Sequence, residues 1–164
     1  MKEAVKPMNK QLVVKPEKCT GCRTCELICS YEKTGAFHPA QSAVTVVAFD
    51  EAALAVPVMC QQCDEAPCVK ICPVGALYRG DDGVVAWFEN KCIVCRLCAD
   101  ACPMGNMSYS PVTRKMSKCT RCDGDPKCAT YCPSGAISYT SEDAVIGKKR
   151  TVAETLKAVY GLEE

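Results

Sequence analysis

Sixteen cysteines carry most of the chemical information in this sequence. They make up about one residue in ten of the 164-residue chain, and all of them fall into four groups of four. The first and third groups have the spacing Cys-x2-Cys-x2-Cys-x3-Cys, while the middle gap of the other two groups is four or five residues. The groups are Cys19, Cys22, Cys25 and Cys29; Cys60, Cys63, Cys68 and Cys72; Cys92, Cys95, Cys98 and Cys102; and Cys119, Cys122, Cys128 and Cys132. Cysteines bind soft metals and also form disulfides, so three kinds of site compete for this pattern.

The repeat extends beyond the cysteines themselves. Three groups end in the frame Cys-Pro-x-Gly, which begins at Cys72, Cys102 and Cys132. Proline blocks the continuation of a helix, and glycine permits a turn back into a strand. The first group departs from this frame, because Cys29 is followed by Ser30. Such self-similarity indicates one supersecondary unit that was duplicated and then duplicated again.

A disulfide framework and a zinc module are the two weaker interpretations. Residues 1–10 contain neither an apolar signal-peptide core nor a twin-arginine pair, so we expect a cytoplasmic chain, and disulfides are rare in the cytosol. Structural zinc commonly uses two Cys-x2-Cys knuckles separated by a dozen or more residues, often with histidine ligands. Here three cysteines crowd into one short turn, and the only histidine is His38, which we expect in a loop.

Iron–sulfur clusters of the [4Fe–4S] type fit the spacing best. The first and third groups match the bacterial ferredoxin run, whose fourth cysteine ligates the neighbouring cluster when two are present. A loop with three cysteines at this spacing wraps three corners of a cuboidal cluster, and the fourth cysteine lies on a following helical turn. The sequence therefore predicts that every cysteine is a cluster ligand.

A lysine directly precedes the first cysteine of three groups, at Lys18, Lys91 and Lys118. A buried cation in such a position would raise the reduction potential of a cluster. Lysines are nevertheless rarely buried, so we expect all three to lie on the solvated surface.

The charge balance and hydropathy exclude two classes of partner. The chain has 20 Lys+Arg against 19 Asp+Glu, so no basic field for nucleic acid is expected. The longest apolar stretch, 43–59, is interrupted by Asp50, Glu51 and Pro57, so no direct membrane span is expected. A folded subunit can still be exported together with a partner that carries the signal.

The coarse pattern predicts short elements around each cysteine loop. Helices are expected at Arg23–Glu32, Ala66–Cys72, Leu97–Cys102 and Lys127–Cys132. Strands are expected at Gln11–Val14 and Ala136–Thr140, with hairpins formed by Ala43–Ala48 and Ala53–Val58 and by Ala76–Arg79 and Val84–Phe88. A docking or capping helix is expected at Thr151–Tyr160, which contains no cysteine.

The pattern resembles the four-cluster ferredoxin-like subunits of molybdenum and tungsten oxidoreductase complexes. The residues that carry the resemblance are the segments 60–76 and 90–98, and the likeness spans about Leu12 to Tyr139. The chain is most similar to the compact iron–sulfur subunits of tungsten aldehyde oxidoreductases, or of hydrogenase and formate dehydrogenase complexes. The resemblance implies an α+β fold of two nested ferredoxin-like modules with two [4Fe–4S] clusters each. The outer module would comprise 1–40 and 112–140, and the inner module would comprise 41–111. A C-terminal docking tail with a helix would follow at 141–164.

The same resemblance implies which cysteines share a cluster. The inner module would hold one cluster on Cys60, Cys63, Cys68 and Cys102, and its companion on Cys92, Cys95, Cys98 and Cys72. The outer module would hold one on Cys19, Cys22, Cys25 and Cys132, and the last on Cys119, Cys122, Cys128 and Cys29. Each fourth cysteine would thus cross to the companion cluster.

These residues predict a carrier of electrons and not an enzyme. No Ser/His/Asp set, carboxylate pair or phosphate-binding glycine loop is present. We expect a subunit that relays single electrons through four [4Fe–4S] clusters between a catalytic tungsten or molybdenum pterin subunit and a flavin/NAD-linked or ferredoxin partner. Self-association into a longer conductor is a further possibility. The alternatives are a diffusible ferredoxin and a zinc-based interaction module.

Overall fold

The computed structural model describes residues 10–111 and 113–141, which include all sixteen cysteines. The expected tail helix Thr151–Tyr160 lies outside the described residues. The described chain forms eight short strands and four α-helices, which confirms the predicted mixture of helix and strand. The strands are β1 Lys10–Val14, β2 Val44–Phe49, β3 Leu54–Met59, β4 Leu77–Arg79, β5 Val85–Trp87, β6 Ser108–Ser110, β7 Lys115–Ser117 and β8 Ile137–Ser141. The helices are α1 Thr24–Thr34, α2 Pro67–Lys70, α3 Leu97–Asp100 and α4 Lys127–Thr130.

The strands form four separate two-stranded antiparallel sheets. Both predicted hairpins are confirmed, since β2 pairs with β3 and β4 pairs with β5. β1 pairs with β8 in a register that sets Lys10 opposite Ser141 and Val14 opposite Ile137. This pairing joins the two ends of the described chain, so all sixteen cysteines lie in the part of the sequence between the paired strands β1 and β8.

A third hairpin, formed by β6 and β7, is absent from the sequence-based prediction. Its strands read Ser-Tyr-Ser and Lys-Met-Ser, so each offers a single apolar residue, and three residues cannot establish an alternating pattern. Met116 of this hairpin is buried and packs beneath the second set of cysteine loops. Tertiary packing therefore decides that this segment is a strand.

Helix α1 is longer than the other three, and its sequence explains the difference. It has eleven residues and continues five residues past Cys29, whereas α2, α3 and α4 each have four and stop before a Cys-Pro pair. Proline disfavours helical backbone at the residue before it and cannot continue a helix. Ser30 takes the place of that proline, is fully buried, donates from Oγ to the Leu27 carbonyl at 2.8 Å and accepts the His38 N–H at 3.0 Å. The departure from the repeat therefore lengthens the helix.

The apolar side chains gather in two cores. The first contains Val44, Val46, Ala55, Met59 and Ile137 together with Cys25 and Cys128. The second contains Ala66, Leu77, Val85, Met107 and Met116 together with Cys68 and Cys98. The β2–β3 hairpin lies in the range expected for the inner module, yet it packs in the first core with α1 and β8. The hairpin thus packs against cysteines of the first and fourth groups, which the prediction assigns to the outer module. The expected module boundaries stay a prediction.

Glu26 ties this hairpin to α1. Its side chain is buried, and Oε1 accepts the backbone N–H of Val46 at 2.6 Å. Arg23 lies 3.7 Å from the other carboxylate oxygen. A carboxylate oxygen thus accepts a hydrogen bond from a backbone N–H of β2 that β3 does not use, next to Cys25.

In the described ranges, no helix has the length and apolar character required to cross a bilayer.

Replacing Ser30 with Pro is expected to shorten α1 after Cys29. The ring removes an interior helix hydrogen bond and clashes with the preceding turn, at a cost of about 3 kcal/mol or more in the free energy of unfolding. Far-ultraviolet circular dichroism and denaturant unfolding measure both effects. Ser30→Ala is the control, since it keeps the helix and loses only the two Oγ hydrogen bonds, about 1–2 kcal/mol. Equal helicity and stability in the two variants would contradict this explanation.

Candidate metal centres

Three cavities in the described part of the chain are each lined by four cysteines. The first contains Cys29 from α1 and three cysteines of the fourth group, Cys119, Cys122 and Cys128. Leu12, Val44 and Met59 supply apolar walls. A helix near the start of the chain and a loop near its end therefore face one space, although their cysteines belong to different groups in the sequence.

The other two cavities exchange cysteines in the same manner. One is lined by three cysteines of the second group and one of the third: Cys60, Cys63, Cys68 and Cys102. The other is lined by three of the third group and one of the second: Cys92, Cys95, Cys98 and Cys72. In both, the fourth cysteine of a group lies with the first three cysteines of its companion.

The remaining four cysteines also cluster. Cys25 is buried, and burial is the main reason why the pKa of its thiol is raised to about 12. The Glu26 carboxylate and the neighbouring Cys22 and Cys132 also raise this pKa. Cys19 and Cys132 pack against the same core as Cys25. The first loop and the last Cys-Pro turn thus meet near Cys25.

These sites have the donor chemistry of a thiolate-held cluster. Every cysteine is a free thiol, and the walls of the cavities are mostly apolar. Within the residues described, no three Cys, His, Asp or Glu side chains converge on a point where one metal ion would sit. The sulfur atoms instead surround spaces, and four soft thiolates around an apolar cavity fit an iron–sulfur cluster.

Backbone N–H groups point at the fourth cysteine of the groups. In two of the Cys-Pro-x-Gly turns, the cysteine Sγ accepts the backbone N–H of the residue four positions later. Ala76 donates to Cys72 and Asn106 donates to Cys102, both at 3.3 Å. The glycine of each turn has positive φ, +57° at Gly75, which a side chain would disfavour. Burial opposes ionisation of Cys72, but the N–H groups of residues 74–77 outweigh it and lower the pKa of the thiol.

The first group obtains the same contact by another route. Cys29 has no Cys-Pro-x-Gly turn after it, and its Sγ accepts the N–H of Ala43 at 3.3 Å. Ala43 lies immediately before β2, which Glu26 fastens to α1. A tertiary contact therefore replaces a local turn at the one loop whose exit lacks proline.

In each of the four groups, the residue directly before the second cysteine has left-handed backbone. These residues are Gly21, Gln62, Val94 and Arg121, with φ of +67°, +52°, +55° and +57°. Left-handed backbone is strained for residues other than glycine, most of all for a β-branched one such as Val94. Gly21 alone carries a signal in the sequence. The other three adopt this conformation because the loop must turn its N–H groups and cysteines toward one cavity.

Packing gives the four sites a linear order. Cys25 and Cys128 share one core, and Cys68 and Cys98 share the other. The Lys118 side chain donates hydrogen bonds to both Cys60 and Cys119. Burial raises the pKa of Cys128, and its thiol neighbours include Cys25 of the set around Cys132. Burial likewise raises the pKa of Cys119, whose neighbours include Cys60. Burial raises the pKa of Cys98 to about 11, with Cys68 among the contributing thiols. The order is therefore the sets of Cys25, Cys119, Cys60 and Cys98.

The two terminal sets of this order reach the surface. Cys22 and Cys95 are the exposed cysteines, and they belong to the first and last sets. The cysteines of the two middle sets are buried or half-buried. The row of sites therefore has two accessible ends and a covered centre.

The three lysines that precede cysteine groups behave differently from one another. Lys18 and Lys91 are exposed, as expected. The expectation is wrong for Lys118, which is 1% exposed. Its Nζ donates to Sγ of Cys60 at 3.3 Å, Oε1 of Gln62 at 3.2 Å and the carbonyl of Cys119 at 3.1 Å. The tertiary fold buries one lysine of the repeat because two loops close over it.

Gln62 and Arg79 hold the Cys60 loop in position, and sequence reasoning assigned no role to either. Gln62 is buried and donates from Nε2 to the Cys119 carbonyl at 2.9 Å. Arg79 donates to the carbonyls of Gln62, at 3.3 Å, and of Cys63. Gln62 fills an unspecified position of the Cys-x2-Cys spacing, and Arg79 lies outside the cysteine groups. Their hydrogen-bond partners are defined only by the folded chain. His38 is exposed, as expected of a loop residue.

The sequence matches known iron–sulfur families. The model of the 4Fe-4S dicluster domain matches residues 51–142, and that of the 4Fe-4S binding domain matches residues 16–32. A chain of the active site complex BamBC of benzoyl coenzyme A reductase, in a structure with zinc, covers 93% of this chain and 99% of its own length. The two share 26% sequence identity and superpose with a TM-score of 0.52.

Curated relatives agree with these matches. An uncharacterized ferredoxin of Methanocaldococcus jannaschii is 37% identical over 84% of this chain and 85% of its own length. The polyferredoxin-like subunit of aliphatic sulfonate oxidoreductase from Pyrococcus furiosus is 39% identical over 71% of this chain and 68% of its own. The beta subunit of NADH-dependent phenylglyoxylate dehydrogenase from Aromatoleum evansii is 36% identical over 76% of this chain, which spans only 28% of that subunit.

The dicluster match covers more than half of the chain, and the ferredoxin relative aligns along most of both proteins. Both findings agree with the cysteine-lined cavities and confirm the predicted iron–sulfur class. The chain therefore belongs to the 4Fe-4S dicluster domain family, the class that includes iron–sulfur electron-transfer subunits of oxidoreductase complexes.

Proposed function

We propose that this chain holds four [4Fe–4S] clusters in a row and relays single electrons between a catalytic subunit and a second redox partner. The observation that carries the proposal is the order of the cysteine sets, with exposed Cys22 and Cys95 at opposite ends. A covered centre with two accessible ends suits a conductor between two docking partners. A catalytic subunit would instead need a substrate site beside its metal.

In this proposal each cluster takes three ligands from one group and the fourth from its companion. The assignments are Cys19, Cys22, Cys25 and Cys132; Cys29, Cys119, Cys122 and Cys128; Cys60, Cys63, Cys68 and Cys102; and Cys72, Cys92, Cys95 and Cys98. The shared cavities support the last three sets. The packing of Cys19 and Cys132 against the core that contains Cys25 supports the first set. Cys22 and Cys132 also raise the pKa of the Cys25 thiol, as close neighbours would.

When bound, each cluster would supply one-electron chemistry with little structural change. The chain supplies the environment in which this chemistry proceeds. Apolar walls such as Val44, Met59 and Met107 exclude water, and N–H groups directed at Cys29, Cys72 and Cys102 stabilise negative sulfur.

The catalytic partner in this proposal is a tungsten or molybdenum pterin subunit, with an aldehyde oxidoreductase as the specific candidate. The likeness to a chain of the BamBC active site complex and to subunits of named oxidoreductases supports a subunit role. The second partner would be a flavin/NAD-linked protein or a ferredoxin, and the complex would work in the cytoplasm. Self-association through the exposed ends would extend the row of sites.

A diffusible ferredoxin is the second candidate function. The relative from Methanocaldococcus jannaschii that carries the ferredoxin name aligns over 85% of its length, which favours this alternative. Isolation of the native protein separates the two functions. A stoichiometric pterin or flavin enzyme that copurifies with the chain supports the subunit, and an isolated monomer supports the carrier.

Anaerobic metal analysis of the holo-protein is expected to find about 16 iron atoms and about 16 acid-labile sulfides per chain, four for each cluster. Cysteine variants then test the crossed ligand sets. Cys60→Ala and Cys102→Ala are expected to abolish the same cluster signal in electron paramagnetic resonance, whereas Cys72→Ala abolishes the signal lost in Cys92→Ala. Zinc without sulfide would refute the cluster proposal. Loss of one common signal in Cys60→Ala and Cys72→Ala would refute the crossing.

Replacing Cys95 with Ala is expected to stop electron delivery through the exposed end of the Cys98 set. In the isolated complex, the partner's substrate turnover with an artificial dye that bypasses this chain should persist, while turnover with the natural electron partner falls to background. Asp100→Asn, an exposed change on the neighbouring helix α3, should behave as wild type. Normal throughput in Cys95→Ala would contradict the relay.

A further inference from the structure

A buried cation lies at the junction of the two middle cysteine sets. The Lys118 side chain is almost fully buried, and its Nζ contacts Sγ of Cys60 from one set and the carbonyl of Cys119 from the other. Burying an ammonium group is costly unless negative charge and hydrogen bonds compensate it. The partners of Lys118 in the described residues are one sulfur and two carbonyl oxygens. The Cys60 sulfur is the partner that would carry negative charge as a cluster ligand.

Gln62 fixes the direction of this ammonium group. Its Oε1 accepts from Lys118 Nζ and, at 2.9 Å, from the backbone N–H of Val85. Its Nε2 donates to the same Cys119 carbonyl that Lys118 contacts. One amide therefore holds the Cys60 loop, the β4–β5 hairpin and the Cys119 loop around a single positive charge.

The repeat provides two internal comparisons for Lys118. Lys18 and Lys91 occupy the same place in the sequence, directly before the first cysteine of a group, and both are exposed to water. Solvent screens a charge at those two positions, while burial leaves the charge of Lys118 largely unscreened. The same residue type thus lies in three equivalent positions, only one of which can exert a strong field on sulfur.

We propose that Lys118, oriented by Gln62, is a positioning residue that raises the reduction potentials of the two middle sites and thereby favours passage of the electron across the junction. This inference rests on the proposed electron-transfer function. One-electron reduction changes the charge of a cluster and its four thiolates from about −2 to about −3, with no bond formed or broken. A fixed buried cation stabilises the more negative form, and the electron donor in the experiment is dithionite.

Potentiometric titration of the holo-protein, followed by electron paramagnetic resonance, tests this role. Lys118→Met removes the charge and retains much of the side-chain length. At a fixed potential the ratio of reduced to oxidised cluster is expected to fall at least about tenfold at two of the four sites, a shift of about 59 mV. Lys118→Arg should keep both potentials near the wild-type values, and Lys18→Met and Lys91→Met should leave all four unchanged.

Gln62→Glu provides an independent variant with Lys118 in place. The new carboxylate pairs with the ammonium group, cancels its field and is expected to lower the same two potentials. If Lys118→Met fails to retain four clusters, this variant and Lys118→Arg decide the question. Four unchanged potentials in a fully loaded Gln62→Glu or Lys118→Met protein would overturn the inference, and a wild-type chain without clusters would instead refute the proposed function.

Discussion

Convergence of thiols from distant segments is the constraint on which the rest of this structure depends. The chain has one Trp, six Tyr and three Phe, so large side chains contribute little to its cores. Cysteines take their place, since Cys25 and Cys128 lie in one core and Cys68 and Cys98 in the other. Strands of three to six residues in isolated pairs would be marginal alone. In the proposed assignment, each cluster cross-links two such segments and supplies stability that side-chain burial does not.

The same convergence explains the unusual backbone and electrostatics. Bringing four sulfurs around one cavity requires left-handed residues such as Gln62, Val94 and Arg121. Burial raises the pKa of thiols such as Cys25 and Cys98, so an uncompensated thiolate there is unfavourable. At other cysteines of the sites, N–H groups directed at Cys72 and Cys102 and the Lys118 side chain beside Cys60 favour negative sulfur. Strain and compensation are therefore concentrated at the sites and not distributed through the fold.

Local signals were sufficient to predict most elements of this fold. Proline after Cys72, Cys102 and Cys132 marks where three helices stop, and Ser30 marks where the first helix continues. The β2–β3 and β4–β5 hairpins follow from apolar runs joined by polar turns. The β6–β7 hairpin was missed because single apolar residues such as Met116 show no period. The pairing of β1 with β8 has no local signal, since its partners lie at opposite ends of the described chain.

The sequence by itself determined the chemistry: the spacing of sixteen cysteines indicated [4Fe–4S] ligation, and the family matches confirm that class. Spacing is a local property, because ligands within one loop need only short-range geometry. The crossed cysteine sets were implied only by the family resemblance, and three of them line shared cavities in the tertiary structure. Only the tertiary structure decided which cysteines stay exposed and which lysine of the repeat is buried. Lys18, Lys91 and Lys118 are equivalent in the sequence, yet only Lys118 lies between two loops. Burial depends on neighbours that are distant along the chain, and no local pattern encodes it.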